Sequence, residues 1–155
     1  MFNHIMVALD RSTYSHRTLP TAIEMAKKFG SDLFVLHVSE HDRGRAAVYS
    51  LESPAEATRL VGDAVEEARD AGVKASGEVR DAAAQHTAQT IVDVATAKGV
   101  DLIVMGSRGL SEVQGFFLGS VTHKVIQTAH VPVLVDRAPV ESRAAETAAK
   151  RPATV

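Results

Sequence analysis

The sequence predicts an α/β fold, a single domain built on a parallel five-stranded sheet with helices on both faces. Three observations lead there. Four short segments are apolar throughout and rich in β-branched residues, and each stops abruptly. Stretches of helical periodicity fill the intervals between them. A fifth, partly alternating segment completes the order β-α-β-α-β-α-β-α-β. Short all-apolar strands are typical of parallel sheets covered on both faces, and strict alternation with helices produces such sheets. The length of 155 residues suits one domain with one sizeable core.

The first strand is Ile5-Met6-Val7-Ala8-Leu9, ending at Asp10. A helix is expected over Ser15 to Phe29, where Leu19, Ile23, Ala26 and Phe29 recur at three- and four-residue steps and Gly30 supplies a stop. Pro20 fits this helix only in its first turn. Leu33 to Val38 is the second strand. Ser53-Pro54 is a favourable N-cap and N1 pair, opening a helix through Leu60, Ala64, Val65 and Ala68 to Gly72. Val73 to Val79 is the weaker strand, patterned as an edge. Thr87 to Lys98 places Ile91, Val92 and Ala95 on one helical face, with Gly99 as stop. Leu102 to Met105 is a strand ending at Gly106, and Gly119 to Ala129 is a helix with Val121, Val125 and Ile126 inward. Val131 to Val135 is the last strand. His41 to Glu52 is polar and reads as a loop. After Arg137 the chain turns to Ala, Glu, Lys and Pro without a clear face, so the domain is expected over 1–137 and a mobile polar tail over 138–155.

Right-handed crossovers through these elements give a three-layer α/β/α, doubly wound sheet of the flavodoxin or Rossmann-like kind, strand order 3-2-1-4-5. Ligands of such sheets bind beyond the carboxyl ends of the strands, where the order reverses. Composition narrows the classes further. Seventeen basic and nineteen acidic residues are mixed along the chain, for a net charge of −2, so nucleic acid is a poor partner. The absence of Cys excludes disulfides, thiolate metal sites and thiol catalysis. The start of the chain lacks the basic opening of a signal peptide, and the apolar runs are far shorter than a membrane span. The expectation is a soluble cytoplasmic protein.

The segment that carries chemistry is Gly106-Ser107-Arg108-Gly109, nine residues, then Gly119-Ser120-Val121-Thr122. Its first glycine follows a buried strand and its third precedes a helix. Glycine admits close approach of backbone to a ligand, and a helix start offers unpaired N–H groups and partial positive charge suited to phosphate. Ser120 and Thr122 add hydroxyls. Taken singly, each glycine reads as turn punctuation and Gly119-Ser120 as a simple cap. Together they describe a phosphate cradle. It is not a P-loop, and no GxGxxG follows the first strand.

Other constellations fit less well. His37 and His41 have a zincin-like spacing, but they run from a strand into a loop and lack the following Glu. His123 and His130 sit seven apart on one helix, so no metal site is expected. No GxSxG elbow is present. A receiver domain shares the topology but needs an acidic pair after the first strand, where Asp10 has no acidic neighbour.

The spacing Gly-x2-Gly-x9-Gly-Ser resembles that of the ATP-binding universal stress proteins. The surrounding words match as well: Asp101 to Gly109, Leu118 to Thr122 and Val131 to Val135, with the strand ending in Asp10 and with Leu36-His37-Val38. The resemblance covers about residues 2 to 136. It implies that adenine lies against the first two strands, recognised by Asp10 and the Val38 backbone with Ala8 beside the ring. Met105 and Gly106 would contact adenine or ribose, and Gly109, Gly119, Ser120, Val121 and Thr122 the phosphates. Asp10 is also a plausible turn residue with no ligand. No lysine stands where a P-loop would have one, so Arg108 and then Arg11 are the candidates to balance the phosphate charge, with Mg²⁺ as the alternative; either arginine is equally a solvated surface charge.

The function implied is that of a nucleotide-binding regulatory protein in the stress response. It would act as a homodimer paired through the Val131–Val135 strand. The sequence does not choose between ATP, ADP, AMP and a cyclic nucleotide. A slow ATPase or phosphotransfer enzyme, and a ligand-free dimeric interaction module, are the alternatives. No general base for hydrolysis stands out, so the reading leans away from an enzyme.

Overall fold

The structure is a computed structural model that describes residues 1–12, 15–43, 48–50, 52–107 and 118–137. In chain order the elements are β1 (His4–Leu9), α1 (Ser15–Phe29), β2 (Asp32–Arg43), β3 (Val48–Ser50), α2 (Pro54–Asp70), β4 (Ala75–Ala83), a 3-10 turn (Ala84–His86), α3 (Thr87–Ala97), β5 (Leu102–Gly106), α4 (Ser120–Thr128) and β6 (Val133–Asp136). Arg108, Gly109 and the expected tail from 138 onward lie outside the described residues.

The five parallel strands run β4-β2-β1-β5-β6, which is the expected 3-2-1-4-5 order. The chain winds outward from β1 through β2 to β4, then returns across the sheet to β5 beside β1. The reversal of order therefore falls between β1 and β5. Register there is fixed by Ile5 opposite Leu102 and Ala8 opposite Met105. At the amino-terminal edge the Asp101 carboxylate accepts from the amides of Asn3 at 2.8 Å and His4 at 3.2 Å, which locks β5 to the start of β1.

Alternate residues of the central strands feed two cores. Ile5, Val7, Leu9, Leu33, Val35, Leu102 and Val104 face α1 and α2, meeting Leu19, Ile23, Val61 and Val65. Met6, Leu36, Val38, Ile103 and Met105 face the other way and pack with Ile91, Val92 and Ala95 of α3 and Val125 of α4. Ile5, Met6, Val7, Val35, Leu36, Ile103, Val104 and Val125 are wholly buried. Each such side chain contributes about 1.5–3 kcal/mol by leaving water, so the two-sided core is the main stabilising term.

The helix ends follow local chemistry. Ser53 accepts from the Glu56 amide, and the Glu56 carboxylate takes the Ser53 amide at 2.8 Å, a complete capping box ahead of Pro54. Gly30 and Gly99 end α1 and α3 with φ of 68° and 64°, left-handed values that a side chain disfavours. Pro20 is the sixth residue of α1 and not in its first turn, so the helix runs on without that amide donor.

Two strands are longer than their apolar cores. β2 continues to Arg43 and β4 to Ala83, with Ser39, Glu40 and His41 opposite Asp81, Ala82 and Ala83. Past the end of β1, His41 to Arg43 pair antiparallel with β3. His41–Arg43 and Val48–Ser50, expected within a loop, are therefore strand, because ladder pairing joins backbone groups irrespective of side-chain polarity. Among the described residues β4 pairs only with β2, as an edge strand. Its outer side carries charge: Glu78 lies 2.7 Å from Arg80 and 3.1 Å from Lys98. Partial burial pushes the Glu78 carboxyl up, and the hydrogen bonds from Arg80 and Lys98 outweigh that and hold it below its ordinary value.

Candidate functional site

The carboxyl ends of β1 and β5, and β2 at Val38 just past the end of β1, lie on the side of the sheet where α4 begins. Ala8, Val38, Met105 and Val121 join the same apolar cluster there, Val38 and Met105 buried, Ala8 and Val121 partly so. Parity explains it. Ala8 sits opposite both Leu36 and Met105 in the parallel registers, and Val38 is two residues beyond Leu36, so all point toward α3 and α4. Four residues drawn from three strands and a helix thus join the core packed under α3 and α4 close to the switch point, where such sheets take their ligands.

The helix start beside it is held in place by backbone. The Gly119 amide donates to the Ser107 carbonyl at 2.8 Å, and the Ser107 amide donates to Asp136 at 2.9 Å. The Thr122 hydroxyl donates to the Gly106 carbonyl at 2.9 Å. Gly119 is the N-cap of α4, with φ −57° and ψ 148°, and offers no side chain to the first-turn amides of Ser120, Val121 and Thr122. Those amides have no acceptor within the helix, and the helix dipole adds partial positive charge at the same point. Ser120 is exposed. Thr122 is buried, and its hydroxyl proton is directed at Gly106, so what it offers toward the cradle is its amide.

Asp10 leaves the end of β1 half-buried. Its Oδ1 accepts from the Ser12 amide at 2.9 Å and from the Ser12 hydroxyl, so the carboxylate shapes a tight local turn. Arg11 is exposed in that turn.

Two interactions at these strand ends had no signal in the sequence. Asp136, at the end of β6 and opposite Gly106 in register, accepts from the Thr21 hydroxyl of α1 at 2.8 Å. His37 is buried on the α1/α2 side, with Nδ1 2.9 Å from the Leu9 carbonyl and Nε2 2.6 Å from Glu52 Oε1. The sequence showed His37 as one half of a histidine pair with His41 and as part of the Leu36-His37-Val38 resemblance, and neither pointed to a buried partner. Its partner is fifteen positions on, a separation that no local pattern announces.

The universal stress protein family model matches residues 1–137. The chain belongs to that family. The universal stress protein YxiE of Bacillus subtilis is 35% identical over 156 residues, covering 88% of this chain and all of the relative. A universal stress protein of Thermus aquaticus is 33% identical over 140 residues, again spanning 88% of this chain and the whole of that one. Among solved structures, a universal stress protein of Archaeoglobus fulgidus superposes with a TM-score of 0.70 at 28% identity, over 87% of this chain and 98% of its own. The universal stress protein from the same organism in complex with dAMP gives a TM-score of 0.66 at 27% identity, covering 86% and 97%. Among the described residues no helix is long and apolar enough to cross a membrane.

Proposed function

We propose that the chain binds an adenine nucleotide at the carboxyl edge of β1, β2 and β5 and works as a nucleotide-bound regulatory homodimer, with ATP as the ligand. The observation that carries this reading is the side-chain-free cap of α4 beside the end of β5, which the Thr122 hydroxyl joins to Gly106. Half-buried Ala8 offers a flat base an apolar contact at the end of β1, and the cap at Gly119 offers phosphate oxygens the first amides of α4. Asp10 and the Val38 backbone supply polar groups for the purine edge. Met105 and Gly106 contact adenine or ribose, and Gly109, Gly119, Ser120, Val121 and Thr122 hold the phosphates, with Arg108 or Arg11 balancing their charge. The related Archaeoglobus fulgidus protein in complex with dAMP supports an adenine nucleotide in this fold. The relatives named above are all universal stress proteins, which supports a role in the stress response. Among the described residues β6 pairs only with β5, and its four residues are half-buried, which suits pairing with a second copy.

The test is direct. Nucleotide carried through purification, identified by mass spectrometry, names the ligand. Titration calorimetry with ATP, ADP, AMP and cyclic AMP, with and without Mg²⁺, is expected to give micromolar to submillimolar affinity for ATP. The melting temperature should rise with nucleotide concentration by mass action. No heat and no thermal shift with any of the four at millimolar concentration would overturn the reading.

A further inference from the structure

His37 stands where an apolar side chain would serve the core. It follows Leu33 and Val35 on the α1/α2 face of β2, and both of those are buried hydrophobes. It is itself 2% exposed, and its side chain and that of Glu52 are 3% and 4% exposed. Removing an imidazole and a carboxylate from water is unfavourable, and well-packed apolar residues often stabilise as well or better. Core stability therefore does not account for the pair.

The ring's two contacts suggest what does. The Leu9 carbonyl can only accept, so Nδ1 carries a proton. With Nδ1 protonated, the 2.6 Å approach of Nε2 to Glu52 Oε1 also needs a proton between them, since a lone pair facing a carboxylate would repel. The ring thus bridges two places. One is the last residue of β1, immediately before the Asp10–Ser12 turn. The other is Glu52, immediately before the Ser53 cap of α2. His37 and Leu9 are also direct partners in the β1–β2 register. The side chain caps the final carbonyl of the strand whose continuation holds Asp10.

We propose that His37 is a positioning residue. From behind the sheet it fixes the direction in which the chain leaves β1, and thereby the Asp10 turn at the candidate nucleotide site, while Glu52 fixes the ring. The affinity part of this inference rests on the nucleotide reading above; the positioning part does not. The Leu9 bond is the one that matters for the turn, and the Glu52 bond holds the imidazole in the orientation that makes it.

The two bonds can be separated by substitution. The amide nitrogen of Asn can replace Nδ1, and that of Gln can replace Nε2. His37→Asn keeps the bond to Leu9, and His37→Gln keeps the bond to Glu52. Both variants should melt lower than the wild type. Loss of one hydrogen bond corresponds to roughly a fivefold change in an equilibrium. His37→Gln should therefore weaken ATP binding about fivefold and speed exchange of the Ser12 amide in the ligand-free protein by about the same factor. His37→Asn should leave both within about twofold of wild type, and so should Glu52→Gln, whose amide can donate to Nε2. Equal weakening by the Asn and Gln variants, or an unchanged Ser12 amide in His37→Gln, would overturn the proposal. One measurement needs no variant. A long-range ¹H–¹⁵N spectrum of the wild type should show a slowly exchanging proton on Nδ1 of His37, and its absence would also overturn the proposal. A wild type that binds no adenine nucleotide defeats the proposed function instead, and the Ser12 exchange comparison then decides the positioning role alone.

Discussion

Two glycines carry opposite kinds of constraint, and each gives a prediction. Gly119 sits at φ −57° and ψ 148°, a conformation that a β-branched residue adopts without strain. Gly119→Val should therefore fold, yet place a branched side chain where phosphate must approach backbone. ATP affinity is expected to fall at least about tenfold, or about 1.4 kcal/mol, in calorimetry. A folded variant with wild-type affinity would move the phosphates elsewhere. Gly77 is constrained from within. A Cβ there would lie 2.6 Å from Val61 Cγ1 and 2.8 Å from the Val35 carbonyl oxygen, so α2 rests directly on the bare backbone of β4. Val61 can turn aside, but the strand carbonyl cannot. Gly77→Ala should cost about 1–3 kcal/mol, read as a lower denaturation midpoint in urea with an unchanged slope. The sequence made Gly119 conspicuous through its spacing from Gly106 and Gly109. Gly77 gave no such sign, because its role depends on a helix that crosses it from elsewhere in the chain.

At the scale of elements, α2 provides a pH-dependent test. The Glu56 carboxyl is held below its ordinary value of 4.5, first by the Ser53 amide and next by the Ser53 hydroxyl. A lowered folded-state value means that the ionised carboxylate favours the folded helix start. That contribution is complete above the ordinary glutamate value and is lost as pH falls through the lower folded one. Glu56→Gln retains a capping-box residue without the charge. The stability difference between wild type and this variant should thus be steady near neutral pH and shrink on acidification; a difference that grew toward low pH would refute it. Such caps were legible in the sequence, as Ser53-Pro54 shows. So were the cores of the strands, since a short, continuous apolar run rich in β-branched residues admits few other readings. The far ends of β2 and β4 were not. Ser39 to His41 and Arg80 to Ala83 carry little hydrophobic signal, and their pairing follows from each lying beside the other. The same reason hid the His37–Glu52 bond, while Ala8, Val38, Met105 and Val121 were singled out by the family resemblance alone, and strand parity accounts for their joining one cluster.

At the scale of the molecule, half-buried β6 and Ile126 of α4, which was expected inward but is 44% exposed, are the surface expected to meet a second copy. Self-pairing of this strand about a two-fold axis would be isologous, with Pro132 limiting how far the ladder extends. Light scattering at tens of micromolar should report a dimer, and removal of residues 140–155 should leave it intact. A monomeric full-length chain would exclude this assembly. The sheet's winding also bears on how the protein is made. β1 is a central strand, bonded on one side to β2 and on the other to β5, whose Leu102 meets Ile5 from roughly a hundred residues away. On the ribosome, β2 follows β1 closely and can cover one flank, but the other flank waits for β5. Closing so long an interval is slow, and an apolar strand with an open flank is prone to wrong partners. The strand made early is therefore among the last to be sealed, and the nascent chain is most vulnerable to misassembly during the interval before Met105 emerges.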